Sequence, residues 1–331
     1  MTWLTWRQFR FSALSVFAGL AVIAVILAIT GPDLVGRTNF SDQEVLYIGT
    51  TLVLYLLPAV IGVFWGVPMI TRELESGTHS LVWNQTITRK RWLTTKLGYG
   101  VLVAMVAAAL LSVAVTWWAS PIDALAAKQT DRQLLSRITP VVFGARSLVP
   151  IGYAAFALVL GVTVGMLLRR TVAAMAVTLA ALAAVLVLVP LFVRPYLLPP
   201  QVQTVAITGE VITNITGDET GDILEIGVRN PPGAWVLANE TLDPAGNVVT
   251  RMPDFVQNCV PRPPRDGLAP PPERGSLETC MAQLGTHGYH QRLTYQPGSR
   301  FWPLQWLELA LYLAMSALLT WFCFRRIRHL S

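Results

Sequence analysis

The chain has 331 residues, of which 53% are hydrophobic and only 13% charged, a net charge of +6 and a mean hydropathy of +0.51. A soluble domain carries about twice that share of charge, so this is the balance of a polytopic membrane protein. The positive charge is not a nucleic-acid signal, because the basic residues gather in short stretches beside apolar runs.

Residues 1–10, MTWLTWRQFR, space Trp3, Trp6 and Arg10 for a short amphipathic helix on the cytoplasmic membrane surface. The apolar run that follows is too long for a signal peptide and lacks a small-residue cleavage site. Six segments are long enough to cross about 30 Å of hydrocarbon: Phe11–Thr30, Val45–Ile70, Gly98–Ala119, Val149–Leu168, Thr171–Val193 and Pro303–Phe324. An even number puts both termini on one side. Arg7 and Arg10, with Arg325, Arg326 and Arg328, put that side in the cytoplasm. No Asp, Glu, Lys or Arg lies within these segments except Glu308, near a helix start. A charge at mid-bilayer costs roughly 2.5–3.5 kcal/mol and usually marks an ion or proton route. An ion-coupled carrier is therefore disfavoured.

Gly62 and Gly66 in the second span, and Gly161 and Gly165 in the fourth, suit close backbone approach. Ala173, Ala176, Ala180 and Ala184 give the fifth span a small-residue face. Between the second and third spans lies residues 71–96, TRELESGTHSLVWNQTITRKRWLTTK, with five basic and two acidic residues. It reads as a cytoplasmic elbow. Thr71 is expected to cap a turn carrying Glu73 and Glu75, Gly77 to break it, and Thr78 to cap a second helix presenting Leu81, Val82 and Trp83. Thr88 is expected to start a third helix through the basic cluster. A plain interfacial connector, anchored by Arg and Trp at headgroups, reads equally well from spacing alone.

The S-P-I-D at Ser120 predicts an external helix over 120–138, with Ser120 as its cap and Pro121 in its first turn. Residues 194–302 read as a mixed α/β extracytoplasmic domain, followed by the last span and a basic tail over 303–331. Short β-branched runs fill Val202–Val228, split by Gly217 and Gly221. D-P-A-G-N joins Trp235–Thr241 to Val248–Met252 as a predicted hairpin. Cys259 and Cys280 flank a Pro-rich stretch on the oxidising side, and a disulfide between them would contribute roughly 3 kcal/mol. Cys323 reads as a core thiol. His287 and His290 lack an evident third ligand, so no metal site is expected. With 22 Arg against three Lys, the composition points to a GC-rich bacterial genome, where the sequons at Asn214 and Asn239 stay silent.

Three stretches in order carry a resemblance: R-E-L-E-S-G-T-x-x-L-x-W-x-Q-x-x-x-R from Arg72 to Arg89, F-G-A-R-S-L-V-P-I-G-Y from Phe143, and Y-Q-P-G-S-R-F-W-P-L-Q-W-L-E over Tyr295–Glu308. With the order of spans, they make the chain resemble bacterial ABC transporter permeases of the multidrug and antibiotic exporter type. The likeness is weakest between residues 194 and 294.

The resemblance implies a six-helix permease in the bacterial plasma membrane, dimeric through its second and fifth spans; the compound it moves is expected to be amphipathic because the spans along its route lack charges. It implies an elbow that couples to a separate ATPase through Arg72, Glu73, Glu75, Gly77, Thr78, Leu81, Trp83, Gln85 and Arg89. Glu73 and Glu75 would make polar contacts there, and Leu81 and Trp83 apolar ones. It also places Arg300, Trp302, Gln305 and Glu308 at an outer gate, although an aromatic belt with an Arg anchor explains that stretch as well.

No cofactor is expected in this chain, ATP and Mg belonging to the partner. A phosphate-binding loop needs Gly before its Lys, and the lysines here follow Arg89, Thr95 and Ala127. Partners are the ATPase, a second permease copy and membrane lipid, with no nucleic acid. The competing class is a membrane sensor or anchor that signals through the same elbow; for a lipid-modifying enzyme no catalytic set is evident.

Overall fold

A computed structural model describes residues 2–37, 39–75, 88–127, 135–218, 222–257 and 282–329. Among the described residues, six helices are long and apolar enough to cross a membrane: Ala13–Leu34, Ser41–Glu75, Arg89–Ala126, Val149–Leu168, Thr171–Tyr196 and Gly298–Arg326. They are called spans 1 to 6. The chain is a polytopic helical protein with a small β-rich region between spans 5 and 6. It divides into two compact units. One holds the spans, and the other combines Ala126–Ile138 with Pro199–Ser299.

Span 4 is the core of the helical unit. It is apolar all round and 83% buried, as a helix enclosed by others must be, and it packs against spans 2, 5 and 6. The glycines explain how closely. A Cβ on Gly66 would lie 2.5 Å from the Leu158 carbonyl oxygen, and one on Gly161 would overlap the Gly62 carbonyl. These residues therefore seat span 2 on span 4 within one chain. Span 2 follows suit with a π-helical stretch at Ile61–Gly66, just after Pro58, where the backbone is already short of a donor.

Span 3 shows its buried face at helical spacing: Leu93, Leu97, Ala104, Ala107, Leu111, Val115, Trp118 and Ile122. The buried apolar side chains of span 1 are Ala13, Leu20, Leu27 and Leu34, spaced seven apart, and Gly31 is buried against Trp117. The span is pinned at one end, where Trp118 Nε1 donates to Thr30 Oγ1 at 2.9 Å. Below that, the two helices part around apolar grooves of about 200 and 560 Å³.

Several local expectations give way to longer-range structure. Residues 2–10 are helical but run unbroken into span 1 as one helix, Thr2–Thr30, because no Gly or Pro precedes Gly19. Thr71 caps nothing: it lies inside the helix Val67–Glu75, and its hydroxyl donates to the Val67 carbonyl. Ser120 is no cap either. Span 3 continues through Pro121 to Ala126, and the Ser120 hydroxyl donates to the Trp117 carbonyl at 2.7 Å, the acceptor that Pro121 cannot satisfy. Residues 135–138 are not helical, so the external helix does not reach them. Thr88 does act as expected, its Oγ1 accepting from the Arg91 amide at 3.3 Å.

In the second unit, β1 (Gln201–Ala206), β5 (His290–Gln296) and β4 (Trp235–Leu242) form an antiparallel sheet in the order β1-β5-β4. β2 (Ile212–Gly217) and β3 (Ile223–Val228) form a separate antiparallel pair. The D-P-A-G-N turn forms, with Gly246 at φ +87° and the Asn247 amide and side chain holding the Asp243 carboxyl below its usual pKa. The predicted hairpin does not follow. Beyond a single bridge, Leu242 to Val248, the second arm leaves, and β4 takes β5 as its partner. The arm is drawn off because Met252 is needed in a small core with Ile207, Ile223, Ile226, Val256 and Leu284. His287 stacks on Phe255 at 4.8 Å, while His290 opens β5. Cys259 and Cys280 lie outside the described residues; Cys323 is a buried free thiol, 3.2 Å from Thr163 Oγ1.

Candidate functional site

Both ends of the 71–96 elbow are described; Gly77, Thr78, Leu81, Trp83 and Gln85 lie outside the described residues. On the first side, Arg72 is exposed and Glu73 is half-buried. The Glu73 carboxylate is paired with Lys96, which stands one turn into span 3 from Trp92. Lys96 is 7% exposed, donates to the Met69 carbonyl at 3.1 Å and lies 4.6 Å from the Trp92 ring centre. An ammonium so enclosed needs these partners, since an isolated buried charge is costly. The two ends of the elbow are thus tied to each other.

Glu75, the last helical residue of span 2, turns to span 5. Its Oε1 accepts from the Thr171 amide at 2.6 Å and its Oε2 from the Thr171 hydroxyl at 2.8 Å. That hydroxyl also lies 2.8 Å from Thr71 Oγ1. Glu73 and Glu75 therefore both have partners within the chain. Arg89 begins the helix of span 3 and is half-buried.

The other polar centre was not legible as one. Residues 139–148, which include the F-G-A-R-S stretch, are mostly irregular chain lodged among helix ends, where every backbone group needs a partner. Tyr55 of span 2 donates to the carbonyls of Pro140 or Val141, at 3.2 and 3.0 Å. Ser112 and Thr116 of span 3 bond Ser147, which holds φ +56°. Gln305 of span 6 accepts from the Leu148 and Val149 amides at 2.9 and 3.0 Å and donates to the Phe143 carbonyl at 3.0 Å.

At its centre is a fully buried ion pair. Arg194 Nε and Nη2 donate to the two oxygens of Glu308 at 2.6 and 2.8 Å, a bidentate pair with both side chains 0% exposed. Arg194 Nη1 donates to the Pro140 carbonyl at 2.9 Å, and Tyr153 of span 4 donates to Glu308 at 3.2 Å. Arg194 arrives there through the π turn Val189–Val193, which contains Pro190 and ends just before Arg194. Close by, the buried Arg146 meets Asp123 at 3.3 Å and the Tyr47 ring at 5.0 Å.

The four outer-gate candidates are thereby separated. Gln305 and Glu308 are buried in this clasp, with their polar atoms bonded within the chain. Trp302 is 51% exposed, and Arg300 is half-buried ahead of the span 6 helix. Arg194 was missed because it follows an apolar run and reads as its polar flank; Asp123 and Arg146 because 23 residues separate them, the first in a predicted external helix and the second beyond it. The one available signal was their occurrence singly, each next to apolar sequence.

The model of the family described as ABC-2 membrane transporter related matches residues 33–194, just under half of the chain, from the end of span 1 through the elbow to Arg194. No curated protein and no solved structure matches. The family match supports an ABC-2 type permease.

Proposed function

We propose that the chain is the membrane permease of an ABC exporter in a bacterial plasma membrane, driven by ATP hydrolysis in a separate subunit that docks on the 71–96 elbow. The match over residues 33–194 carries this reading, because it contains the elbow and the spans on either side of it. ATP binding closes the ATPase dimer, pushes on the elbow and converts an inward-open route to an outward-open one. Leu81, Trp83 and Gln85 are the docking residues, with Arg72 and Arg89 flanking them in sequence. Glu73 and Glu75 brace the elbow, since both are occupied within the chain.

The permease works as a dimer. Ala173, Ala176, Ala180 and Ala184 are all exposed, opposite the buried Ala174, Thr178 and Leu182, which supports span 5 as part of that interface. The transported compound is amphipathic: Arg194 with Glu308, Lys96 with Glu73 and Arg146 with Asp123 compensate one another within the helical unit. Any outer gate is narrowed to Arg300 and Trp302.

Affinity purification of the tagged chain from its own membranes should bring down an ATPase with phosphate-loop and ABC signature sequences. Recovery of the folded chain without one would sink the reading. Orientation is tested separately. An impermeant thiol reagent applied outside should reach cysteines introduced at Gln129 and Gly267 but not at Ser76; labelling at Ser76 would invert the topology. In non-reduced protein the peptides of Cys259 and Cys280 should be found linked, and two free thiols there would refute the disulfide.

A further inference from the structure

The helix that opens span 5 lacks a cap of its own. Its N-cap residue is Arg170, extended at φ −131° and ψ 115°, with no side-chain hydrogen bond to the first turn, and that turn contains no acidic residue. Helix starts are ordinarily closed by a Ser, Thr, Asn or Asp oxygen and favoured by nearby negative charge. Here both come from another span. Glu75 receives the Thr171 amide on one oxygen and the Thr171 hydroxyl on the other. Thr71 spends its own hydroxyl hydrogen on the Val67 carbonyl, so it can only accept from Thr171. The single Thr171 hydrogen is therefore shared between Thr71 and Glu75.

Glu75 is also the last described residue before the docking part of the elbow. Spans 4 and 5 are joined by two residues only, Arg169 in the left-handed region at φ +53° and Arg170. Whatever moves the start of span 5 moves the end of span 4 as well. The apolar contact behind the junction, Val67 with Val164 and Ala174, is non-directional and tolerates sliding. Hydrogen bonds to both carboxylate oxygens do not.

We infer that Glu75 is a positioning residue for the transport cycle: it caps span 5 from span 2 and so makes the elbow pull on the span 4–span 5 hairpin, not on spans 2 and 3 alone. The inference rests on the proposed function and assigns Glu75 a role inside the permease, not a contact to the ATPase.

The test uses the full permease–ATPase complex in lipid nanodiscs with Glu75→Ala, Glu75→Gln and the pair Glu75→Cys/Thr171→Cys. Glu75→Ala should still copurify with the ATPase but lose most of its substrate-stimulated hydrolysis. Glu75→Gln keeps an acceptor for the Thr171 amide and should fall between Ala and wild type. Oxidising the double-cysteine variant should restore stimulation and reducing it should remove it again, a reversal that a folding defect would not show. Stimulation by Glu75→Ala equal to wild type, or a cross-link without effect, overturns this inference alone. A wild-type chain that never binds or stimulates an ABC ATPase overturns the proposed function and this inference with it.

Discussion

Replacing Glu308 by Ala is expected to cost the fold about 3–5 kcal/mol, the range for removing one partner of a buried ion pair. The loss is not that of a contact alone. Arg194 would remain fully buried with two of its donors aimed at nothing, and Tyr153 would lose its acceptor. The 139–148 segment would suffer next, because Arg194 also holds the Pro140 carbonyl. Thermal unfolding in detergent should show the melting temperature of Glu308→Ala far below wild type. Arg194→Met with Glu308→Met should recover much of the loss, since an apolar pair of similar volume removes the unpaired charge. A double variant whose loss equals the sum of the losses of the two single variants would mean that the two residues act independently, against the geometry seen.

The second large effect is expected at Trp83, which sequence places in the polar elbow. A large apolar ring in such a loop has its use in a partner's groove, and truncating such an anchor typically costs at least about 2 kcal/mol. Trp83→Ala should therefore weaken copurification of the ATPase by more than about tenfold. Insertion of the chain into membranes should not change, because the substitution touches no span. Undiminished copurification would reduce the elbow to a connector.

How much of this could be read beforehand depends on the range of the forces involved. The six spans follow from length and apolarity, properties of a continuous stretch, and all six stand. Gly62, Gly66, Gly161 and Gly165 announced a close approach; that it joins spans 2 and 4 of one chain needed the fold. Ser120 and Thr71 are good caps by local rule, yet each bonds a carbonyl inside a continuing helix, because packing extends these helices beyond their local stop signals. The hairpin failed for a similar reason: Met252 is worth more in the small core than paired along β4. Glu308 and Gln305 stand in the stretch that the resemblance places at an outer gate, and only their partners Arg194 and the amides of Leu148 and Val149 explain why they are buried. Charges separated by 114 residues leave no local trace of pairing.

The central claim is that this chain couples ATP hydrolysis in another subunit to transport. Its most direct test is the hydrolysis rate of the copurified ATPase in lipid nanodiscs, with wild-type chain, with Trp83→Ala and without the chain, across a panel of amphipathic compounds. The account predicts that wild-type chain supports hydrolysis stimulated by at least one compound and that Trp83→Ala abolishes the stimulation. Hydrolysis that is the same with and without the chain, for every compound, would contradict it.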